Sequence, residues 1–148
     1  MNWMRCSPSL EQKNEVYIVT NVDRDTRCIV GWDVLFERDY DHMQAMLDRS
    51  PQAKQYYSDA FSVYNPLVYY PGHHRALDDK SQTYSVEADN AELRHYLARL
   101  ARKSRCFSRC IHALWRLLKL FVFAWNRRQL HKRAFPKYPA HVRDFVYP

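Results

Sequence analysis

The chain has 148 residues, a length that suits one domain of ordinary size. Hydrophobic residues make up 47% and charged residues 26%, which is typical of a folded protein and not of a disordered one. The only glycines are Gly31 and Gly72, so neither a dinucleotide-binding nor a P-loop phosphate motif can be present. Nucleotide-binding enzymes of these two classes are therefore excluded.

The charge is divided unevenly along the chain. Residues 1–90 contain 9 Lys and Arg against 14 Asp and Glu, whereas residues 91–148 contain 14 against 2. This asymmetry predicts a polyanionic partner for the second half, with nucleic acid as the first candidate and an anionic membrane surface as the second. The longest apolar stretch, Ala113–Trp125, is interrupted by Arg116 and Lys119 and is too short to span a bilayer, so we expect a core helix and no membrane partner.

The first half predicts a β-hairpin. Glu15–Val22 and Arg27–Val34 are rich in β-branched and aromatic residues, and a turn at residues 23–26 separates them. Arg38–Arg49 has apolar residues at helical spacing and ends at Ser50-Pro51, so it predicts a helix.

Lys54–Ser58 predicts a short strand, which we expect to pair in the same sheet as the hairpin. Asn65–Lys80 contains Pro66, Pro71-Gly72 and Asp78-Asp79, and it indicates a loop-rich segment.

The second half predicts two long helices. One begins near the N-cap Ser85 and carries the apolar stripe Leu93, Leu97 and Leu100. The other spans about Ser108–Arg128, and prolines end regular structure beyond it. Strands followed by helices indicate a mixed α/β fold, layered in the α+β manner.

Two acidic residues are candidates for catalysis because of their positions. Asp59 directly follows the strand Lys54–Ser58, and Glu87 lies at the start of the first long helix. A pair of carboxylates presented in this way suits a divalent cation that acts on a phosphodiester. Taken singly, each residue also has an ordinary interpretation: Asp59 as a turn residue and Glu87 as a partner of the helix dipole.

Other polar clusters are weaker candidates. The pair His73-His74 fits a polar loop better than a metal site. Without a signal peptide in Met1–Leu10, we expect the cysteines to be free thiols, with a zinc site at Cys106, Cys110 and His112 as the alternative.

The stretch Tyr84–Cys110, YSVEADNAELRHYLARLARKSRCFSRC, resembles the C-terminal signature of bacterial insertion-sequence transposases of the IS-one class. The hairpin and the segment YYSDAFSVY resemble the core of the same family, and the similarity covers about Lys13 to Pro148. The signature is matched by eleven residues: Glu87, Asn90, Leu93, Arg94, Leu97, Arg99, Leu100, Arg102, Phe107, Ser108 and Arg109.

The resemblance implies a ribonuclease H-like mixed sheet flanked by helices and an Asp-Asp-Glu site that uses Mg²⁺ or Mn²⁺. Asp59 matches the second Asp of the family, with Ala60 in place of the usual Gly, and Glu87 matches its Glu. Both are thus expected to be catalytic residues and metal ligands that converge in the fold. The residues expected to contact DNA are Asn90, Arg94, Arg99, Arg102, Lys103, Arg105 and Arg109.

The first Asp of the family lies on its first core strand, usually before Glu and an aromatic residue, but Met1–Gln12 contains no Asp. We therefore expect an N-terminally truncated core, with a divergent segment at residues 1–12 and, at 13–148, the ribonuclease H-like transposase core with basic C-terminal helices. The chain would be a partial reading frame or a truncated copy.

The function implied is transposition: cleavage and transfer of DNA strands in the bacterial cytoplasm. The expected partners are transposon ends, target DNA and a second copy or the full-length transposase. The alternative is a non-catalytic DNA-binding remnant that inhibits transposition.

Overall fold

The computed structural model describes residues 2–6, 16–59, 62–77, 84–96 and 111–147, and for residues 2–6, 59, 77, 84–87, 89 and 90 it describes the backbone alone. The strands are β1 (Asn2–Cys6), β2 (Val16–Val22), β3 (Ile29–Leu35), β4 (Gln55–Asp59) and β5 (His73–Leu77). The helices are α1 (Tyr40–Arg49), α2 (Tyr84–Tyr96) and α3 (Ile111–Ala134), with short 3₁₀ turns at Ser62–Tyr64 and Val142–Phe145.

The chain divides into two compact units. The first contains Met1–Asn21 and Gly31–Phe107, and the second contains Val22–Val30 and Ser108–Pro148. Mixed strands and helices confirm the α+β class at the level of secondary structure. Within the part of the chain that the structure describes, no helix combines the length and the apolar run needed to cross a bilayer.

A three-stranded sheet in the order β1-β2-β3 contains the predicted hairpin. The loop of residues 23–28 between β2 and β3 is too short for a crossover, so these neighbours run antiparallel, as predicted. β1 pairs antiparallel with β2, with Asn2 opposite Thr20 and Cys6 opposite Val16. The sequence analysis predicted no strand in this N-terminal segment.

The strand at Lys54–Ser58 is confirmed with a shift of one residue, but its predicted pairing is wrong. β4 does not join the hairpin sheet among the described residues; it pairs in parallel with β5 in a separate two-stranded sheet. β5 itself replaces part of the loop expected at Asn65–Lys80. Its residues, HHRAL, carry no β-branched side chain, so pairing with β4 and not local propensity determines this strand.

Helix α1 closes the core of the first unit. Its apolar stripe Met43, Met46 and Leu47 is buried as predicted, and it packs in one cluster with side chains of β2, β3 and the segment after β4. The helix ends at Ser50, which has extended dihedrals as expected before a proline and whose Oγ donates to Met46 O at 2.9 Å. β3 approaches this end closely at Gly31, where a Cβ would lie 1.9 Å from Ser50 Oγ.

The second unit consists of α3, the hairpin tip and the C-terminal tail. One face of α3 is buried through Leu114, Leu118, Phe121, Val122, Ala124 and Trp125. The hairpin tip is closed by Asp23, whose carboxylate accepts hydrogen bonds from the Thr26 hydroxyl at 2.5 Å and the Thr26 N–H at 2.9 Å. These two bonds lower the pKa of Asp23 and leave Arg27 with a positive φ of 62° at the end of the turn.

Asn126 joins α3 to the hairpin tip through both ends of its amide. Ile29 N–H donates to Asn126 Oδ1 at 2.7 Å, and Asn126 Nδ2 donates to Ile29 O at 2.8 Å. The preceding residue of the helix, Trp125, donates from its Nε1 to Arg27 O at 3.1 Å. The Asn126 side chain thus exchanges two hydrogen bonds with Ile29, the first residue of β3, as the backbone of a neighbouring strand would.

We predict that Asn126→Ala lowers the free energy of unfolding by about 2–4 kcal/mol, because it leaves the N–H and the C=O of Ile29 without these partners. Urea unfolding followed by far-UV circular dichroism measures the loss. Gln129→Ala, which removes an amide from the next turn of α3, is the control and should change stability by less than about 0.5 kcal/mol. Equal losses in the two variants would contradict the pairing role.

Candidate active site and nucleic-acid interface

Asp59 is the last residue of β4, with Leu77 opposite it on β5. Its position at a strand end agrees with the sequence prediction. Its side chain lies outside the described ones, so its part in a metal site stays a prediction.

Glu87 is the fourth residue of α2 and lies in the first turn, close to the predicted helix start. The prediction of Ser85 as the N-cap is wrong, because the helix begins one residue earlier, at Tyr84. On the same helix Leu93 is buried, as the predicted stripe requires, whereas Leu97 and Leu100 lie outside the described residues. The helix lies against β1. The carboxyl group of Glu87 is not among the described side chains, so its separation from that of Asp59 also stays a prediction.

A buried hydrogen bond fixes the strand that carries Asp59. Ser58, the residue before it, is only 1% exposed, and its hydroxyl lies 2.7 Å from His74 Nε2 on the paired strand β5. The bond couples the fourth residue of β4 to the second residue of β5, so the backbone position of Asp59 depends on both strands.

Aromatic rings support the histidine from the other side. The His74 ring stacks on Tyr69 with centroids 4.3 Å apart and planes within 9°. Tyr69 contacts Tyr56 at 5.0 Å between centroids, and its hydroxyl donates to Tyr64 O at 2.9 Å. Burial lowers the pKa of His74 and raises that of Tyr69, so both rings are neutral near neutral pH.

The expectation that His73-His74 lies in a loop is wrong, because both residues belong to β5. Among the side chains that the structure describes, no group of three His, Cys, Asp or Glu is arranged to hold a metal ion. Asp59 and Glu87 are not among those side chains. Cys28 is a buried free thiol as expected, whereas the alternative zinc ligands Cys106 and Cys110 lie outside the described residues.

Most of the predicted DNA contacts also lie outside the described part of the chain. Arg94 is exposed on the last turn of α2, and Asn90 is placed on the same helix by its backbone. The remaining ones, for which no position is described, are Arg99, Arg102, Lys103, Arg105 and Arg109.

The structure describes one of the basic C-terminal helices expected from the sequence. Helix α3 carries six Lys and Arg and no Asp or Glu: Arg116, Lys119, Arg127, Arg128, Lys132 and Arg133. Several are combined with aromatic rings, as in Lys119 Nζ over Trp115 at 5.4 Å and the Arg127 guanidinium over Phe123 at 5.2 Å. The absence of acids across the 24 residues of α3 was the sequence signal for this surface.

The described geometry combines an acid at a strand end, an acid in a first helical turn and a basic helical surface. A family model described as IS1 transposase matches residues 12–124, most of the chain. The chain belongs to the IS1 transposase family. No curated protein and no solved structure matches it significantly.

The family match confirms the resemblance drawn from the signature Glu87–Arg109 and from the hairpin. It spans β2 through the first half of α3, so Asp59, Glu87 and the predicted DNA contacts all lie inside the IS1 transposase region. The C-terminal tail and the second half of α3 lie beyond it.

We predict that the stability of this IS1 transposase chain falls as the pH decreases from about 7.5 to 5.5 and that His74 causes part of the fall. The unfolded chain takes up a proton at His74 near its ordinary pKa of about 6.5, whereas the folded chain takes it up only at lower pH. The unfolded state therefore binds more protons in this range, and acid favours it.

His74→Gln should make the free energy of unfolding less dependent on pH in that range, as measured by urea unfolding at several pH values. His73→Gln, which removes the exposed neighbour on the same strand, is the matched control and should leave the dependence unchanged. A flatter profile in the His73 variant alone would refute the assignment.

Proposed function

We propose that this chain is an Asp-Asp-Glu-type transposase core that cleaves and joins DNA strands, with Asp59 and Glu87 as its metal-binding carboxylates. Water would attack a phosphodiester and release a DNA 3′-OH, and that 3′-OH would then attack a second phosphodiester and displace its 3′ oxygen. The observation that carries the proposal is the IS1 family match over both acids, together with their places at the end of β4 and in the first turn of α2.

The donor set fits a divalent cation. Two carboxylates offer the hard oxygen ligands that Mg²⁺ and Mn²⁺ prefer. A bound ion would polarise the phosphodiester and lower the pKa of the attacking hydroxyl. The chain's own contribution is to hold Asp59 through the Ser58–His74 bond and to place Glu87 by the start of α2.

The element order supports a ribonuclease H-like arrangement. Three strands in meander order, a helix, two further strands and a later acid-bearing helix follow one another along the chain. We propose that β1, which precedes and pairs with β2, is the counterpart of the strand that carries the first Asp in the family. β1 reads NWMRC and contains no carboxylate, so we propose that Asn2, which differs from Asp by one amide, stands at the position of the missing acid.

With two of three carboxylates, we expect weak cation affinity and little strand transfer by the chain alone. A DNA-binding remnant that inhibits transposition by occupying DNA ends or by associating with full-length transposase is therefore the second candidate. The observation that favours it is the absence of an acid from β1. Either candidate would act on DNA in the bacterial cytoplasm.

We predict that Asn2→Asp strengthens Mn²⁺ binding by roughly tenfold or more, because it adds a third oxygen ligand of negative charge. Electron paramagnetic resonance of Mn²⁺ titrated with the protein measures the affinity. The same variant should raise Mn²⁺-dependent nicking and joining of plasmid DNA above the wild-type level.

Asn65→Asp makes the same chemical change at an exposed residue after the first 3₁₀ turn, and it should give neither gain. Adding Asp59→Asn to Asn2→Asp should remove both gains. If the Asn2 variant behaves as the wild type does, Asn2 is not the position of the missing acid.

We predict salt-sensitive, largely sequence-independent DNA binding through residues 91–148. Replacing Arg99, Arg102 and Arg105 with Ala should weaken binding and lower the slope of log K against log salt by roughly 2–3, because each lost phosphate contact contributes about 0.9. Fluorescence anisotropy with a duplex of random sequence measures both quantities.

The control is a triple variant that removes the same charge from the first half of the chain: Arg38→Ala, Lys54→Ala and Arg75→Ala. It should change the slope of log K against log salt only slightly. An unchanged slope in the Arg99, Arg102 and Arg105 variant would exclude these arginines as phosphate contacts.

A further inference from the structure

We propose that Arg127 and Arg128 form a phosphodiester-binding site on α3, and that the C-terminal tail, residues 135–147, covers this site with its own carbonyl oxygens. The tail would thereby compete with DNA for two cations of the helix. This inference rests on the proposed DNA-binding function and adds a site and a control that the predicted contacts at residues 90–109 do not include.

Both guanidinium groups donate to the backbone of the tail. Arg127 Nη1 donates to Phe145 O at 3.4 Å and, over a shorter distance, to Tyr147 O. Arg128 Nε donates to Ala140 O at 2.8 Å. Three carbonyl oxygens from the tail thus take up guanidinium donors on one turn of α3.

A carbonyl oxygen accepts the same N–H donors as a phosphate oxygen but carries no net charge. The bonds of Arg127 to the tail therefore give its Nη1 two acceptors without neutralising the charge of the guanidinium. A phosphodiester satisfies both needs, and guanidinium pairs with it through short charge-assisted bonds. In a helix with six cations and no acid, a phosphate is the better partner whenever the tail lifts away.

The tail contacts α3 through a buried side chain and a pair of rings. Val142 is buried, and the Phe145 ring lies 5.3 Å from the His131 ring of α3. The 3₁₀ turn is closed internally by Asp144, whose carboxylate accepts from His141 N–H and whose own N–H donates to His141 O. Because the tail is tethered, it competes at a high effective concentration, so loosening one anchor shifts the balance towards DNA.

The test loosens the tail without changing any charge. Val142→Ala in the full chain removes part of the buried anchor, and Phe145→Ala removes the ring beside His131 as a second, independent loosening. Trypsin cleavage after Lys137 and Arg143 reports tail release, and circular dichroism confirms that α3 remains folded. DNA binding to a random-sequence duplex is measured by anisotropy over a salt series.

Either loosened variant should bind DNA roughly threefold to tenfold more tightly, with a salt slope steeper by about 1–2, because one or two phosphate contacts are added. Arg127→Ala should weaken wild-type binding about as much as Lys132→Ala does, because the tail leaves the charge of Arg127 in place, and it should in addition abolish the gain in the Val142→Ala background. A gain that depends on Arg127 in this way is a coupling between the two sites. Lys132→Ala removes an exposed cation from the next turn and should weaken binding equally in both backgrounds.

If trypsin shows the tail released and DNA affinity is unchanged or lower, the competition is refuted while DNA binding by the wild type stands. If neither the wild type nor the loosened variants bind DNA, the proposed function and this inference fail together. Binding by the loosened variants alone would support the covered site in its strongest form.

Discussion

The second unit depends on the amide of Asn126. The backbone N–H and C=O groups inside a helix bond to one another, so they are not available to a neighbouring strand. The Asn126 side chain instead provides one donor, Nδ2, and one acceptor, Oδ1, for the backbone of Ile29. The neighbouring Trp125 is 1% exposed and adds its indole N–H to the carbonyl of Arg27. Two consecutive side chains thereby fix the hairpin tip on α3.

Local sequence patterns were sufficient to predict those helices and strands that are determined by their own residues. Alternating β-branched residues predicted β2 and β3, and the spacing of Met43, Met46 and Leu47 predicted α1 with the correct buried face. β1 and β5 were missed because NWMRC and HHRAL have little intrinsic strand preference and depend on partners that are distant in sequence. For the same reason, no local signal showed that β4 would pair in parallel with β5 and not join the hairpin sheet.

The candidate site shows the same division. The places of Asp59 and Glu87 followed from their own neighbours, a strand end and a helix start. The supporting bond between Ser58 and His74 joins residues 16 positions apart, so nothing in either local sequence indicated it. It explains why a polar, histidine-rich segment lies beside an acid-bearing strand: the buried Ser58 hydroxyl needs a partner, and the stacked His74 ring provides it next to an aromatic cluster.

Helix α3 carries its positive charge without acidic partners of its own. Six cations along a helix of about 36 Å repel one another, and no acid on the helix offsets that repulsion. Aromatic ring faces and neutral carbonyl oxygens contact several of these cations and stabilise them without neutralising their charge. Acidic residues at i, i+4 would have stabilised the helix more cheaply. Partners that preserve the positive field suit a surface that meets the phosphates of DNA, and if the tail competes with DNA as proposed, the same carbonyl contacts would determine when that field is accessible.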